Sequence, residues 1–152
     1  MTDPTYSYEL RAAAQSDFES IKALIHAVQI NPMGLKWQNF LVAIDPQARL
    51  IGCGQVKSHG DGSLELASIA IVPEWRKRGI ASAIIRQLLE EHPHTLFLTC
   101  RAHLEAFYIR FGFRTIESGE MPPYFKKISR LASLITRSGL IHDRLLVMRR
   151  VP

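Results

Sequence analysis

Apolar and polar positions follow two rhythms along this chain, and the changes of rhythm divide it into elements. A period near 3.6 residues marks an amphipathic helix; alternation or a short apolar run marks a strand. Tyr8-Glu9-Leu10-Arg11 reads as a short first strand. Phe18, Ile21, Leu24, Ile25 and Val28 then recur at helical spacing, so a helix is expected to about Val28. Ser16 with Glu19 three residues later fits a capping box at its start. Asn31-Pro32-Met33-Gly34 breaks the pattern.

Residues 40–44 form an apolar run that reads as a strand, and Asp45-Pro46-Gln47 is a turn signal. Residues 50–58 read as the next strand, with Gly52 and Gly54 marking a bulge or a close approach. A turn at 59–63 leads to 64–72, the most apolar of the three runs, which predicts burial on both faces. Pro73 ends it. Ile80, Ile84, Ile85, Leu88 and Leu89 form a helical stripe that Pro93 stops. A strand at 95–99 follows, and the intervening helix predicts that it runs parallel to 64–72. A short helix over 103–111 ends at Gly112, a natural C-cap residue, before a strand at 113–117. The last strand is expected at 144–149. Between these two, Pro122 and Pro123 open a helix over about 121–137. Phe125, Ile128, Leu131, Ala132 and Ile135 give it an apolar stripe; Lys126, Lys127, Arg130 and Arg137 give it a basic face. An antiparallel meander feeding a parallel crossover predicts an α+β fold with a mixed, mostly antiparallel sheet flanked by helices.

Composition narrows this picture without changing it. The 152 residues are 47% hydrophobic and 22% charged. That suits one folded domain over residues 1–152 and argues against a disordered or fibrous chain. No run approaches the ~20 apolar residues of a membrane span. The start lacks the basic-then-apolar order of a signal peptide. Two cysteines, Cys53 and Cys100, make no disulfide framework, and a reducing cytoplasmic location is the expectation. The six histidines and two cysteines show no metal-ligand spacing, so no metal is expected. Nineteen Lys/Arg against fourteen Asp/Glu leave a net charge of +5, which points to an anionic partner of unspecified kind.

The most informative stretch is Ile69-Ala70-Ile71-Val72-Pro73-Glu74-Trp75-Arg76-Lys77-Arg78-Gly79-Ile80-Ala81-Ser82. It is an apolar strand, a basic glycine loop and a helix N-terminus, where free N–H groups and the helix dipole suit a phosphate. The P-loop pattern and the three-glycine dinucleotide fingerprint are both missing, which removes support from ATPase and dehydrogenase readings.

Arg76-Lys77-Arg78-Gly79-Ile80-Ala81 resembles the Arg/Gln-x-x-Gly-x-Gly/Ala signature of the GNAT superfamily of acyl-CoA-dependent N-acetyltransferases. The preceding Ser68-Ile69-Ala70-Ile71-Val72-Pro73 and the downstream Ala106-Phe107-Tyr108-Ile109-Arg110-Phe111-Gly112-Phe113 fit the same family. The order of elements agrees from Tyr8 to Glu117. The resemblance implies acetyl-CoA as cosubstrate and direct transfer of its acetyl group to a primary amine. It implies that N–H groups from Arg78 through Gly79, Ile80 and Ala81 to Ser82 cradle the CoA pyrophosphate, with Arg76 and Lys77 adding charge. Ala70, Ile71 and Val72 are implied to hydrogen-bond the pantetheine arm, the Ile71 N–H polarising the thioester carbonyl. Tyr108 takes the place of the residue that protonates the departing thiolate; independently, a phenol is a suitable donor for that step.

An alkyl amine with a pKa near 10.4 is neutral in only about 1 molecule in 2,500 at pH 7, so a base matters. Glu65 lies five residues before Ala70, where some family members place one. Burial of a carboxyl moves its pKa toward a useful range. A carboxylate reaching solvent beside the Gly62 turn is the plainer reading, and His59 and His103 are chemical alternatives. The family's frequent Asn seven residues before the tyrosine is here Arg101, which puts that pantetheine contact in question. Cys53 and Cys100 read as small core residues. The helix at 121–137 is expected at the acceptor end, opposite residues 31–37. A basic amphipathic helix touching membrane or nucleic acid is the weaker alternative, and neither partner is expected. Similar proteins often dimerise, and the sequence does not select a state. Two rival readings stay open: an acetyl-CoA-binding sensor or regulatory domain without useful transfer, and a small nucleic-acid-binding protein. The acceptor is not legible.

Overall fold

The computed structural model describes residues 6–139 and 143–152. Its strands are β1 (Glu9–Ala12), β2 (Phe40–Ile44), β3 (Leu50–Ser58), β4 (Leu64–Ile71), β5 (Leu96–Arg101), β6 (Arg114–Thr115) and β7 (Leu145–Arg150). Its helices are α1 (Phe18–Ala27), α2 (Ile80–Glu91), α3 (Glu105–Ile109) and α4 (Pro123–Arg137). The strands form a seven-stranded mixed sheet in the order β1-β2-β3-β4-β5-β7-β6. The fold is α+β, as the pattern predicts. β4 and β5 are parallel, whereas the β1–β2, β2–β3, β5–β7 and β6–β7 pairs are antiparallel.

The chain forms two compact units, Met1–Lys57 with Ala67–His92 and Ser58–Leu66 with Pro93–Pro152. In the first unit the two faces of β3 are covered by different helices. Ile21, Leu24 and Ile25 of α1 pack with Phe40, Val42, Cys53 and Ala70. Each fully buried aliphatic side chain there contributes roughly 1.5–3 kcal/mol of burial. The opposite face carries Gly52 and Gly54, and α2 lies against it. A Cβ at Gly52 would come within 2.8 Å of Ile71 Cδ1, and one at Gly54 within 2.6 Å of Ile69 Cδ1 and 2.8 Å of Ile84 Cγ2. The glycines therefore mark a close approach. Ile80, Ile84, Ile85, Leu88 and Leu89 are all buried, as the stripe predicts.

Two expectations fail in this unit. Ser16 and Glu19 form no capping box. Asp17 does the work instead: it accepts the Ala14 N–H at 2.7 Å and two bonds from the Arg11 guanidinium at 2.7 and 3.1 Å. The guanidinium bonds, the first cause, hold the Asp17 carboxyl below its usual range. A charge-assisted pair of this kind outcompetes a serine hydroxyl, and α1 starts only at Phe18. Nor is β4 the most buried strand. Residues 51–56 of β3 are continuously buried, but Ala67, Ser68 and Ile69 of β4 are half-buried. The cause is a bulge. Ser68 sits at φ +60°. Between the Val72 N–H to Ile51 O bond and the His59 N–H to Ser63 O bond, β4 uses one residue more than β3. The extra residue puts the strand's alternation out of step.

In the second unit, α4 packs by its first turn. Phe125 is fully buried against Phe97, Ile116 and Val147, with Met121 and Tyr124 beside them. The predicted stripe on α4 does not stay buried: Leu131 is 53% and Ile135 43% exposed. The expected strand at 113–117 contracts to Arg114–Thr115, because the chain leaves β7 after the Ile116 N–H reaches Val147 O. Gly112 caps the helix before it at φ +89°, with its own N–H on Ile109 O and the Phe113 N–H on Tyr108 O. Among the described residues no helix is long and apolar enough to cross a membrane.

Candidate active site

In the first unit the end of β4 runs into the basic loop. Ala70 and Ile71 are buried, Val72 is half-buried, and Arg76, Lys77, Arg78 and Gly79 are exposed. Gly79 is the N-cap of α2 at φ +79°, and no side chain caps that helix. A Cβ at Gly79 would meet nothing within 4 Å. Among the described residues no side chain caps the first-turn N–H groups of Ile80, Ala81 and Ser82, which fits a phosphate. Lys77 also has positive φ, at +63°.

The three basic side chains do not act alike. Arg76 Nε donates to Ile71 O at 3.3 Å, bracing the loop against the strand it leaves. The Arg78 guanidinium lies 3.6 Å from the centre of the Tyr6 ring and 5.3 Å from that of Trp75. Lys77 makes no ion pair among the described residues. The expectation that all three simply surround the anion is therefore refined: two are positioned by the protein itself.

Sequence reasoning missed a polar pair on β3 and β4. Gln55 Nε2 donates to Ser68 Oγ at 2.8 Å, pinning the bulge. Gln55 is fully buried, and its Oε1 has no hydrogen-bond partner among the described residues. A glutamine inside an apolar strand was the signal available.

In the second unit Glu65 is only 5% exposed, which removes the reading of a solvated carboxylate at a strand end. Its Oε2 lies 3.0 Å from His59 Nε2. The imidazole is stacked on Tyr124 with ring centres 3.4 Å apart and meets Phe125 edge-on. His59 is not a solvated turn histidine. Asp61, in the same turn, accepts the Tyr124 N–H at 3.0 Å and so caps α4 from the β3–β4 hairpin. The Ser63 hydroxyl, the Tyr124 N–H and the Ser63 N–H pull the Asp61 carboxyl down to about 2. Burial, and secondarily the Glu65 charge, raises the Tyr124 phenol.

Tyr108 sits in the last turn of α3, held by edge-on contacts to Phe107 and Phe113. Burial, with a smaller effect of Cys100, pushes its phenol up to about 12. Its hydroxyl has no hydrogen-bond partner among the described residues. The sheet does not bring Glu65 and Tyr108 together. Glu65 pairs with Phe97 and shares its face, the face that α4 covers. Tyr108 is beside Cys100, which alternation places on the opposite face of β5.

Both cysteines are free and buried, their thiols raised by burial to about 12 for Cys53 and about 11 for Cys100. They are core residues, as expected. Arg101 ends β5 exposed, and the Asp143 carboxyl is held low first by His103 and then by the Arg101 charge. A groove of about 520 Å³ lies between α4 and β7, lined among others by Ser129, Ser133, Thr136, Arg137 and Arg144, and it contains none of the predicted site residues.

The acetyltransferase (GNAT) domain model matches residues 36–115. No curated protein matches the chain in sequence. Among solved structures, N-acetylglutamate synthase from Neisseria gonorrhoeae, in complex with coenzyme A and N-acetyl-glutamate, superposes with a TM-score of 0.71 at 19% identity. That match covers 96% of this chain but 36% of the other, so the chain spans about a third of that protein's length. Rv2747 from Mycobacterium tuberculosis, in complex with CoA, gives 0.71 at 23% identity, covering 95% of this chain and 99% of that one. An acetyltransferase of the GNAT family from Staphylococcus aureus Mu50 gives 0.67 at 16% identity, covering 95% and 98%. At these identities the superpositions speak for the fold, and the domain match spans over half of the sequence. The chain belongs to the GNAT acetyltransferase family.

Proposed function

We propose that this protein transfers an acetyl group from acetyl-CoA to a primary amine by direct attack. The observation that carries the reading is the loop at 76–82, an uncapped helix N-terminus behind an open glycine at positive φ, inside the region that matches the GNAT domain. Two structural neighbours bind coenzyme A by their own descriptions, which supports the same cosubstrate here.

Acetyl-CoA supplies an activated thioester. The first-turn N–H groups of α2 from Gly79 to Ser82 bind phosphate oxygens, and Lys77 neutralises part of their charge. Ala70, Ile71 and Val72 offer main-chain hydrogen bonds to the pantetheine, and the Ile71 N–H aligns with the thioester oxygen. Glu65, with His59 on its Oε2, takes the proton from the acceptor ammonium. The pair is buried and hydrogen-bonded, which fixes the orientation of the carboxylate. Tyr108 acts at the sulfur. A phenol at about 12 holds its proton at every working pH. Compared with a thiol near 8.5 it is the weaker acid, so it stabilises the departing thiolate by donating a hydrogen bond, and the second proton lost from the nitrogen goes to the sulfur to give the thiol. Nitrogen and sulfur are bonded to one carbon in the tetrahedral intermediate, so Glu65, on the face of β5 opposite Tyr108, takes the proton through water rather than by touching the nitrogen.

The test is thiol release from acetyl-CoA across a panel of amines, with the acetylated product identified by mass. Turnover with at least one amine is expected. Acetyl-CoA binding without turnover on any amine would instead identify a sensor domain.

A further inference from the structure

Part of the apolar stripe read on α4, continued by Tyr124, forms a surface track leading away from the Glu65–His59 pair. Tyr124, Ile128, Leu131 and Ile135 fall on one side of the helix by their spacing. The first of them is stacked on His59. Ile128 is half-buried, Leu131 53% exposed and Ile135 43% exposed. Leu134, beside them, is 63% exposed. From Tyr124 to Ile135 the helix rises ~16 Å, the length of about five residues of extended chain.

Charge flanks one side of the track. α4 carries Lys126, Lys127, Arg130 and Arg137 and no Asp or Glu. Lys127 lies one turn from Leu131, and Arg130 one turn from Leu134. Neither cation is in an ion pair among the described residues. The small side chains Ser129, Ala132, Ser133 and Thr136 occupy a different side of the helix, where they line the 520 Å³ groove.

We propose that the acceptor amine belongs to a polypeptide, which lies extended along this track with apolar side chains on Leu131 and Ile135 and carboxylates on Lys127 and Arg130. The proposal rests on the reading of Glu65 and His59 as the proton acceptor, because the track begins there. A free amino acid is too short to reach Leu131 from the pair. A nucleic acid matches the cations but leaves the protruding leucines against phosphate and sugar. A peptide that is apolar and acidic satisfies both.

The experiment measures thiol release from acetyl-CoA by the full chain with three acceptors: propylamine, an apolar–acidic pentapeptide with a free N-terminus, and a Gly/Ser/Lys pentapeptide of equal length. The apolar–acidic peptide is expected to exceed both others in kcat/KM by tenfold or more, the scale of one or two apolar contacts. Leu131→Ser with Ile135→Ser should remove that advantage through KM, leaving propylamine turnover and the KM for acetyl-CoA unchanged. Lys127→Glu with Arg130→Glu should shift preference toward the Lys-containing peptide. Equal kcat/KM for all three acceptors overturns the proposal while leaving the transferase reading intact. So does a serine variant that loses propylamine turnover to the same extent. Binding to phosphatidylglycerol vesicles through Leu131 and Ile135, without peptide preference, reassigns the track to a lipid surface and also overturns it. Absence of thiol release with every amine removes both readings.

Discussion

His59 Nε2 and Glu65 Oε2 share a hydrogen bond of 3.0 Å beneath the ring of Tyr124, with both side chains almost sealed from water. The two are six residues apart on either side of a hairpin turn, and the antiparallel ladder folds them back onto each other. Glu65→Gln should lower turnover by ~100-fold or more, the usual scale for losing a proton acceptor. His59→Gln should also lower it, because Glu65 then loses the partner that orients its carboxylate. Binding of acetyl-CoA should stay within about twofold in both. Steady-state kinetics beside direct CoA titration would show it, and full activity in His59→Gln would leave Glu65 acting alone.

Tyr108→Phe should reduce kcat without weakening acetyl-CoA binding. The hydroxyl makes no hydrogen bond among the described residues, so its removal should also leave the melting temperature nearly unchanged. The raised phenol, at about 12, stays neutral throughout the working range. Rates of wild type and Tyr108→Phe should therefore keep a constant ratio from about pH 6 to 10. A ratio that collapses across this range would assign the phenol a titration the structure does not support.

Asp61 fastens α4 to the β3–β4 hairpin through the Tyr124 N–H. Its carboxyl is lowered to about 2 in the folded protein, against about 3.9 when unfolded. A depressed folded value means the contribution is complete above pH 4–5 and disappears as pH falls from about 4 to about 2. The site is exposed, so the loss in Asp61→Ala should be about 1 kcal/mol or less. Thermal melts of wild type and variant should differ at pH 7 and converge near pH 2.

Gly54→Ala should destabilise the first unit. The new methyl would sit 2.6 Å from Ile69 Cδ1 and 2.8 Å from Ile84 Cγ2, so α2 or the Ile69 rotamer must move. Overpacking of this kind costs about 1–3 kcal/mol. Denaturant melts should show a lower midpoint with little change in slope. A variant as stable as the parent would contradict the close approach of α2 to β3.

Much of the fold was legible because it depends on local periodicity. The stripe from Ile80 to Leu89 had to face a sheet, and all five of its residues are buried. Gly52 and Gly54 announced a close approach, which α2 makes. The loop at 76–79 was readable because left-handed backbone and an open helix end leave a local trace at Gly79. The helix start at Ser16 was misread, since a guanidinium six residues away from Asp17 decides it. The bulge at Ser68 was invisible because register is a property of two strands.

The sequence by itself determined the order of elements, the crossover from β4 to β5, and the basic glycine loop ahead of α2. These follow from short-range steric and hydrophobic rules that each segment obeys alone. Tertiary structure decided the partnerships of charged and polar groups: Glu65 with His59, Asp61 with Tyr124 across 63 positions, and Arg78 with Tyr6. It also decided that the α4 stripe faces outward beyond its first turn. Burial and hydrogen bonding between distant segments depend on which surfaces the folded sheet has left uncovered, and no local pattern records that.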